Sequence, residues 1–130
     1  MRNIYKVDNY QYVHNNLHFS LNENQKEIQI QPAGQVLVDS DHFAFIYVVE
    51  EGDGYSYIQL PKDGWQHLVK CIQTEQNPYL LINDMNIELI NFTEELHQLI
   101  FNIEGNENYG RDFVDAVEAA FAEILQENEF

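Results

Sequence analysis

The chain has a single cysteine, Cys71, in 130 residues, so no internal disulfide can form. A domain of this length buries roughly two thirds of its unfolded surface and needs no such staple. Bases are scarce too: six Lys and Arg stand against 22 Asp and Glu, a formal charge of −16. Nucleic acid and anionic membranes are gripped by basic patches, so neither is an expected direct partner. The longest apolar run, Phe43–Val49, is seven residues, far below the ~20 that cross a bilayer. Met1 to Asp8 lacks the unbroken apolar stretch of a secretory signal. Together with the lone thiol, this predicts a cytoplasmic protein. The three prolines are dispersed and no low-complexity tract interrupts the chain, so one domain over residues 1–130 is expected.

Motifs that carry chemistry are missing as well. None of the six glycines makes a phosphate-binding spacing at a strand-to-helix turn, and Gly52-Asp53-Gly54 has a hairpin context instead. The three serines, Ser20, Ser40 and Ser56, lie outside any nucleophile elbow. His67 stands one helical turn before Cys71, but on a helical wheel it points away from the apolar stripe, and Cys71 reads as an inert thiol at that stripe's flank. Among the five histidines, His14 and His18 form one close pair and His67 with Cys71 a second cluster, each without a companion at zinc-ligand spacing. Asp39, Asp41 and Glu50 fall at positions 1, 3 and 12 of a calcium loop, yet Phe43 and Ala44 occupy the positions that need an oxygen ligand and a glycine. A turn capped by carboxylates explains Asp39-Ser40-Asp41. Glu50-Glu51 and Glu94-Glu95 carry little information in so acidic a chain. No catalytic residue, metal ligand or cofactor is therefore assigned, and the sequence leans away from an enzyme.

What is present builds a core, with 45% hydrophobic and 13% aromatic residues. Ile4 to Val13 reads as a strand, turning at His14-Asn15-Asn16 into Leu17, Phe19 and Leu21, which alternate with His18, Ser20 and Asn22. Phe43–Val49 has no polar interruption and reads as a central strand covered on both faces. Gly52-Asp53-Gly54 turns it into Tyr55–Leu60, and Tyr47, Tyr55 and Tyr57 are expected as a cross-strand ladder. Behind Asp63 as N-cap, Trp65, Leu68, Val69 and Ile72 make a helical stripe. Tyr79–Ile82 and Ile87–Ile90 flank a turn at Asn83 to Asn86. Asn91 with Glu94 forms a capping-box pattern before Leu96, Leu99, Ile100 and Ile103, and Gly105 closes that helix. A final helix starts near Asp112. The fold class is α+β: a mostly antiparallel sheet from the N-terminal half plus a second hairpin, one inserted helix, and two C-terminal helices packed on it.

The last helix has an unusually wide apolar face. Phe113, Val117, Ala120 and Ile124 form its stripe, and Val114, Phe121 and Leu125 widen the arc to roughly 180°, against the ~100° that one core-facing stripe needs. Either the sheet curls round it, or Val114, Phe121 and Leu125 pair with a second copy in a homodimer. Acid is concentrated beside it: Glu104–Phe130 carries eight acids and one base, Arg111.

Gly34-Gln35-Val36-Leu37-Val38-Asp39-Ser40-Asp41 running on to Phe43-Ala44-Phe45, and Asn102-Ile103-Glu104-Gly105-Asn106 with Asn108-Tyr109-Gly110 and Phe113-Val114, are two distinctive stretches. Together they resemble the YjbL-like family of small acidic proteins from Gram-positive bacteria, from about Gly34 to the C-terminus. The resemblance implies a bacterial cytoplasmic setting and a single domain, and it brings no activity, cofactor or catalytic residue to transfer. Function is therefore read by class. The favoured reading is a binding or regulatory module acting through contact with a protein partner. The alternative is a small ligand-binding domain or enzyme whose pocket joins the polar loops, with Asp39, Asp41, His42, Asn108, Tyr109 and Arg111 as candidate lining. Third is an acidic mimic of nucleic acid, which needs carboxylates spaced at ~7 Å on one face.

Overall fold

A two-residue turn with left-handed backbone at both positions, His14 (φ 52°) and Asn15 (φ 70°), joins the first two strands into a tight hairpin. A computed structural model describes residues 3–21, 29–82 and 84–126. The strands of that hairpin are β1 (Ile4–Val13) and β2 (Asn16–Leu21), with Asn22 of the expected alternation lying outside the described residues. The uninterrupted apolar run, less Phe43, which ends the preceding turn in a left-handed conformation (φ 49°), becomes β4 (Ala44–Glu51), paired on one side with β3 (Gln31–Asp39) and on the other, through the Gly52-Asp53 turn, with β5 (Gly54–Pro61). Helix α1 (Trp65–Thr74) follows. β6 (Tyr79–Ile82) and β7 (Met85–Glu88) then form the second hairpin, its outgoing strand starting two residues earlier than the sequence suggests. Asn83 of that turn lies outside the described residues. Three helices follow among the described residues: α2 (Phe92–Ile103), α3 (Arg111–Ala120) and α4 (Ala122–Gln126).

The α+β class stands, but the sheet is mixed rather than mostly antiparallel. Its order is β3-β4-β5-β1-β2-β6-β7. The N-terminal hairpin is wedged into the middle: β1 runs parallel to β5, with Tyr5 opposite Ile58, and β2 runs parallel to β6, with Phe19 opposite Leu80. The sheet curls until its edge strands β3 and β7 approach each other, and the helices fill the concave face. There Phe45 packs on Trp65 at 5.1 Å between ring centroids and on Phe121 at 6.0 Å, while Tyr47 meets Phe92 at 5.7 Å. Trp65, Phe92 and Phe121 are at most 1% exposed. Removing such rings from water is the main driving force of the fold.

Three local expectations are corrected. Asp63 does not cap α1, because the chain enters that helix through a 3₁₀ turn, Lys62–Gly64, that leaves Gly64 at the cap. Asn91 makes no capping box either. It adopts a left-handed conformation (φ 63°) with no side-chain cap hydrogen bond, and its amide lies against Gly34. The first turn of α2 is instead capped from a distance, where the Thr93 N–H donates to Asn77 Oδ1 at 3.1 Å. The final helix breaks at Phe121 into α3 and α4, since Phe121 leaves helical geometry (φ −108°, ψ 24°) to seat its ring against Trp65 and Phe45. The surplus edge expected at a homodimer interface is consequently inside the chain: Val114, Phe121 and Leu125 are 4%, 0% and 6% exposed. The sheet together with α1 and α2 covers that edge within the chain.

Candidate functional site

The polar loops named by the sequence are ordered by their own side chains. Asp39 accepts the His42 N–H at 3.3 Å and lies 2.9 Å from His42 Nδ1, closing the 3₁₀ turn Ser40–His42. Asn106 Oδ1 accepts the Asn108 N–H at 3.1 Å, which closes the turn Glu107–Tyr109 in the same way. Arg111 donates to Glu107 at 2.7 Å and approaches Asp115 at 3.8 Å. Asp41, Asn108, Tyr109 and Arg111 do come together, lining an open groove of about 510 Å³ whose floor is Phe43 and Phe113. Asp39 and His42 do not line it, being engaged with each other.

Several other chemistry-bearing groups pack or hydrogen-bond within the fold. Cys71 sits in the α1 stripe itself rather than at its flank, 4% exposed, and burial pushes its thiol up to about 12. Such a thiol is not a nucleophile near neutral pH. His67 is not turned wholly to solvent: it stacks on Tyr10 at 4.7 Å and its Nδ1 lies 2.9 Å from the Tyr12 hydroxyl, and burial lowers its pKa. His18 is buried beside Tyr79, its Nδ1 3.0 Å from the Asn16 carbonyl, while His14 occupies the hairpin turn. Among the described residues no three His, Cys, Asp or Glu side chains gather as a metal would require. Glu51 accepts from Ser56 Oγ at 2.6 Å, Tyr5 Oη at 2.7 Å and Asn3 Nδ2 at 3.0 Å. Burial alone would raise this carboxyl, but the Ser56, Asn3 and Tyr5 hydrogen bonds outweigh it and hold its pKa below the ordinary value.

The surface that sequence reasoning missed is the convex face of β3-β4-β5. Tyr47 faces the concave side, 0% exposed, because the register places it opposite Ile58, whereas Tyr57 lies opposite Val48 and Tyr55 opposite Glu50. The expected tyrosine ladder therefore does not exist, and its members point to opposite faces. On the convex side Leu37 pairs with Ile46, Gln35 with Val48, and Ile4 of β1 with Tyr57. Ala44, Ile46 and Val48 are themselves buried yet stand outside the helix-packed core. Ala33, Gln35, Leu37, Val48, Tyr55 and Tyr57 line an open groove of about 340 Å³ there. Tyr55 and Ile4 are each 54% exposed.

A model of the family of unknown function UPF0738 matches residues 5–121. The chain belongs to the UPF0738 family. A UPF0738 protein of Lysinibacillus sphaericus is 49% identical over 127 residues, covering 98% of this chain and 100% of that protein. One from Bacillus cytotoxicus is 37% identical over 122 residues (93% and 99%), and one from Staphylococcus saprophyticus 40% over 92 residues (71% and 76%). None of these names states an activity, so UPF0738 membership places the chain among proteins of Gram-positive bacteria without assigning a reaction. No solved structure matches it. No helix of the described residues is long and apolar enough to cross a membrane. The UPF0738 match runs from Tyr5 to Phe121, so it takes in the convex face from Lys6 across to Leu37 as well as the groove at Asp41 and Arg111.

Proposed function

We propose that this UPF0738 chain is a single cytoplasmic domain that acts as a protein-contact module, and that the convex face of β3-β4-β5 is its contact surface. We keep the narrower YjbL-like assignment as an inference from the two stretches that carry it. One observation supports the reading above the rest: β4 is apolar on both faces, but the helices of the described residues pack on only one. An apolar run of this kind belongs to a strand covered on both sides. Here the second side carries Leu37, Ile46, Val48, Tyr55 and Tyr57 around an open groove. Several side chains that could do chemistry are meanwhile engaged by neighbours: His42 by Asp39, Arg111 by Glu107 and Asp115, Glu51 by Ser56, Tyr5 and Asn3.

A second reading rests on the groove that brings Asp41, Asn108, Tyr109 and Arg111 together. With aromatic walls and groups of both charges, it suits a small polar ligand. The two readings separate by photo-crosslinking in the cells that make the protein. A crosslinking amino acid replacing Tyr55 is expected to trap one discrete protein, and the same group at Gln98 on α2 is expected to trap none. The trapped protein, purified, should bind the wild type and lose at least tenfold in affinity to a Leu37→Ser variant. Equal labelling from positions 55 and 98, or none at either, would remove the contact reading and leave the groove.

A further inference from the structure

The convex face also states what should cover it. Resting on the contact reading above, we infer that a partner protein lays an amphipathic helix with basic flanks along β3-β4-β5, roughly parallel to the strands. Charge points to basic flanks. Val36–Pro61 holds five acids and no base. Two of them mark opposite ends of this face: Glu50, opposite Tyr55, and Asp39, which lies opposite Ala44 and whose carboxylate also holds His42. The six-residue step along β4 from Ala44 to Glu50 spans about 20 Å at ~3.3 Å per residue. A helix rising 1.5 Å per residue covers that distance in roughly 13 residues, so Lys or Arg near each end of a four-turn helix meets a carboxylate. Lys6, across from Gln59 at the β1 margin, is the face's counter-charge.

The shape of the face suits a helix stripe. The central groove, floored by Val48 and walled by Leu37, Tyr55 and Tyr57, takes two or three large apolar side chains from one helix stripe. The concave face of the same strand is already covered by helices, which leaves the convex groove as the side open to a partner. A second copy of this chain is the poorer occupant. It would bring another −16 charges, and a two-fold pairing would set Asp39 and Glu50 of both copies into one interface.

The test uses the full chain and an 18-residue peptide of Leu and Lys, with Leu at i, i+3, i+4 and i+7 spacing and Lys at both ends. Its controls are a scramble of the same composition and a Leu–Glu peptide with the same stripe. Fluorescence anisotropy is expected to show the striped Lys peptide binding at least tenfold tighter than either control. Amide shifts should move in β3, β4 and β5. Tyr55→Ser, at an exposed position that leaves the core intact, should weaken binding about tenfold, and Glu50→Gln should flatten its salt dependence. Equal binding of stripe and scramble, or no effect of Tyr55→Ser, means attraction to an acidic surface only and overturns the inference. Equal binding of the Leu–Glu peptide overturns its charge component. A dimer in sedimentation that dissociates in Tyr55→Ser assigns the face to a second copy instead. A partner crosslinked from position 55, with no selective binding of the striped peptide, would leave the contact surface standing and remove only the helix.

Discussion

Tyr10 gives the sharpest test of the packing. Its ring stacks on His67 and meets Phe19 edge-on at 5.5 Å between centroids, and its hydroxyl presses on Gly64 at the start of α1, so closely that a Cβ at Gly64 would overlap the phenol. That hydroxyl is buried with no hydrogen-bond partner among the described residues. Burial, with Asp63 and Asp8 behind it, raises its pKa, so it stays a neutral donor. Leaving a buried hydroxyl unsatisfied costs ~1–3 kcal/mol, and replacing it by hydrogen returns part of that. Some dispersion against Gly64 is lost in exchange. Tyr10→Phe should therefore stabilise the fold by about 1 kcal/mol. For 130 residues, an unfolding entropy of ~2.1 cal/mol/K per residue turns this into a rise in Tm of about 4 °C. Gly64→Ala should act in the opposite sense, at a cost of about 3 kcal/mol from overpacking. Tyr10→Leu in the same chain should recover much of that loss, a coupling that a double-mutant cycle reads directly. The assay is thermal and urea unfolding followed by circular dichroism. A Tyr10→Phe variant that loses 1 kcal/mol would show that the hydroxyl makes a hydrogen bond after all, and additive effects at positions 10 and 64 would refute the contact.

Cys71 should resist iodoacetamide at pH 8 in the native state and react promptly in urea, because its buried thiol is pushed up to about 12; stoichiometric native labelling within minutes would contradict that burial. Glu51, whose pKa the Ser56, Asn3 and Tyr5 hydrogen bonds hold down against burial, contributes stability that is present above its unfolded pKa and is lost as pH falls through the lower folded value. Urea titrations at a series of pH values from 6 downward should therefore show a shallower acid loss in Glu51→Gln than in the wild type, and identical slopes would remove Glu51 from the acid response.

Elements governed by local rules were legible in the sequence. The Phe43–Val49 run, the Gly52-Asp53 turn and the stripes of α1 and α2 all follow from periodicity and turn chemistry that any short window displays. The parallel pairing of β1 with β5 and of β2 with β6 was not, because partners fifty or sixty positions apart leave no periodic trace. The same distance hid the α2 cap, where Asn77 supplies an acceptor that Asn91 was expected to provide, and the break at Phe121, where a ring contact with Trp65 overrides a good helical pattern. The tyrosine ladder failed for a different reason, since its signal was available. Counting outward from the two-residue turn pairs Tyr47 with Ile58, which already puts Tyr47 on the face away from Tyr55 and Tyr57. That count has a further consequence for function. It divides the apolar residues of β4 into Phe45, Tyr47 and Val49 on one side and Ala44, Ile46 and Val48 on the other. The three helical stripes then have only the first set to cover. The second set, bordered by Leu37 and two tyrosines and with Asp39 and Glu50 at its ends, is the part of the sequence whose apolar character the chain's own helices do not explain. The outside layer with basic flanks proposed above would supply that explanation.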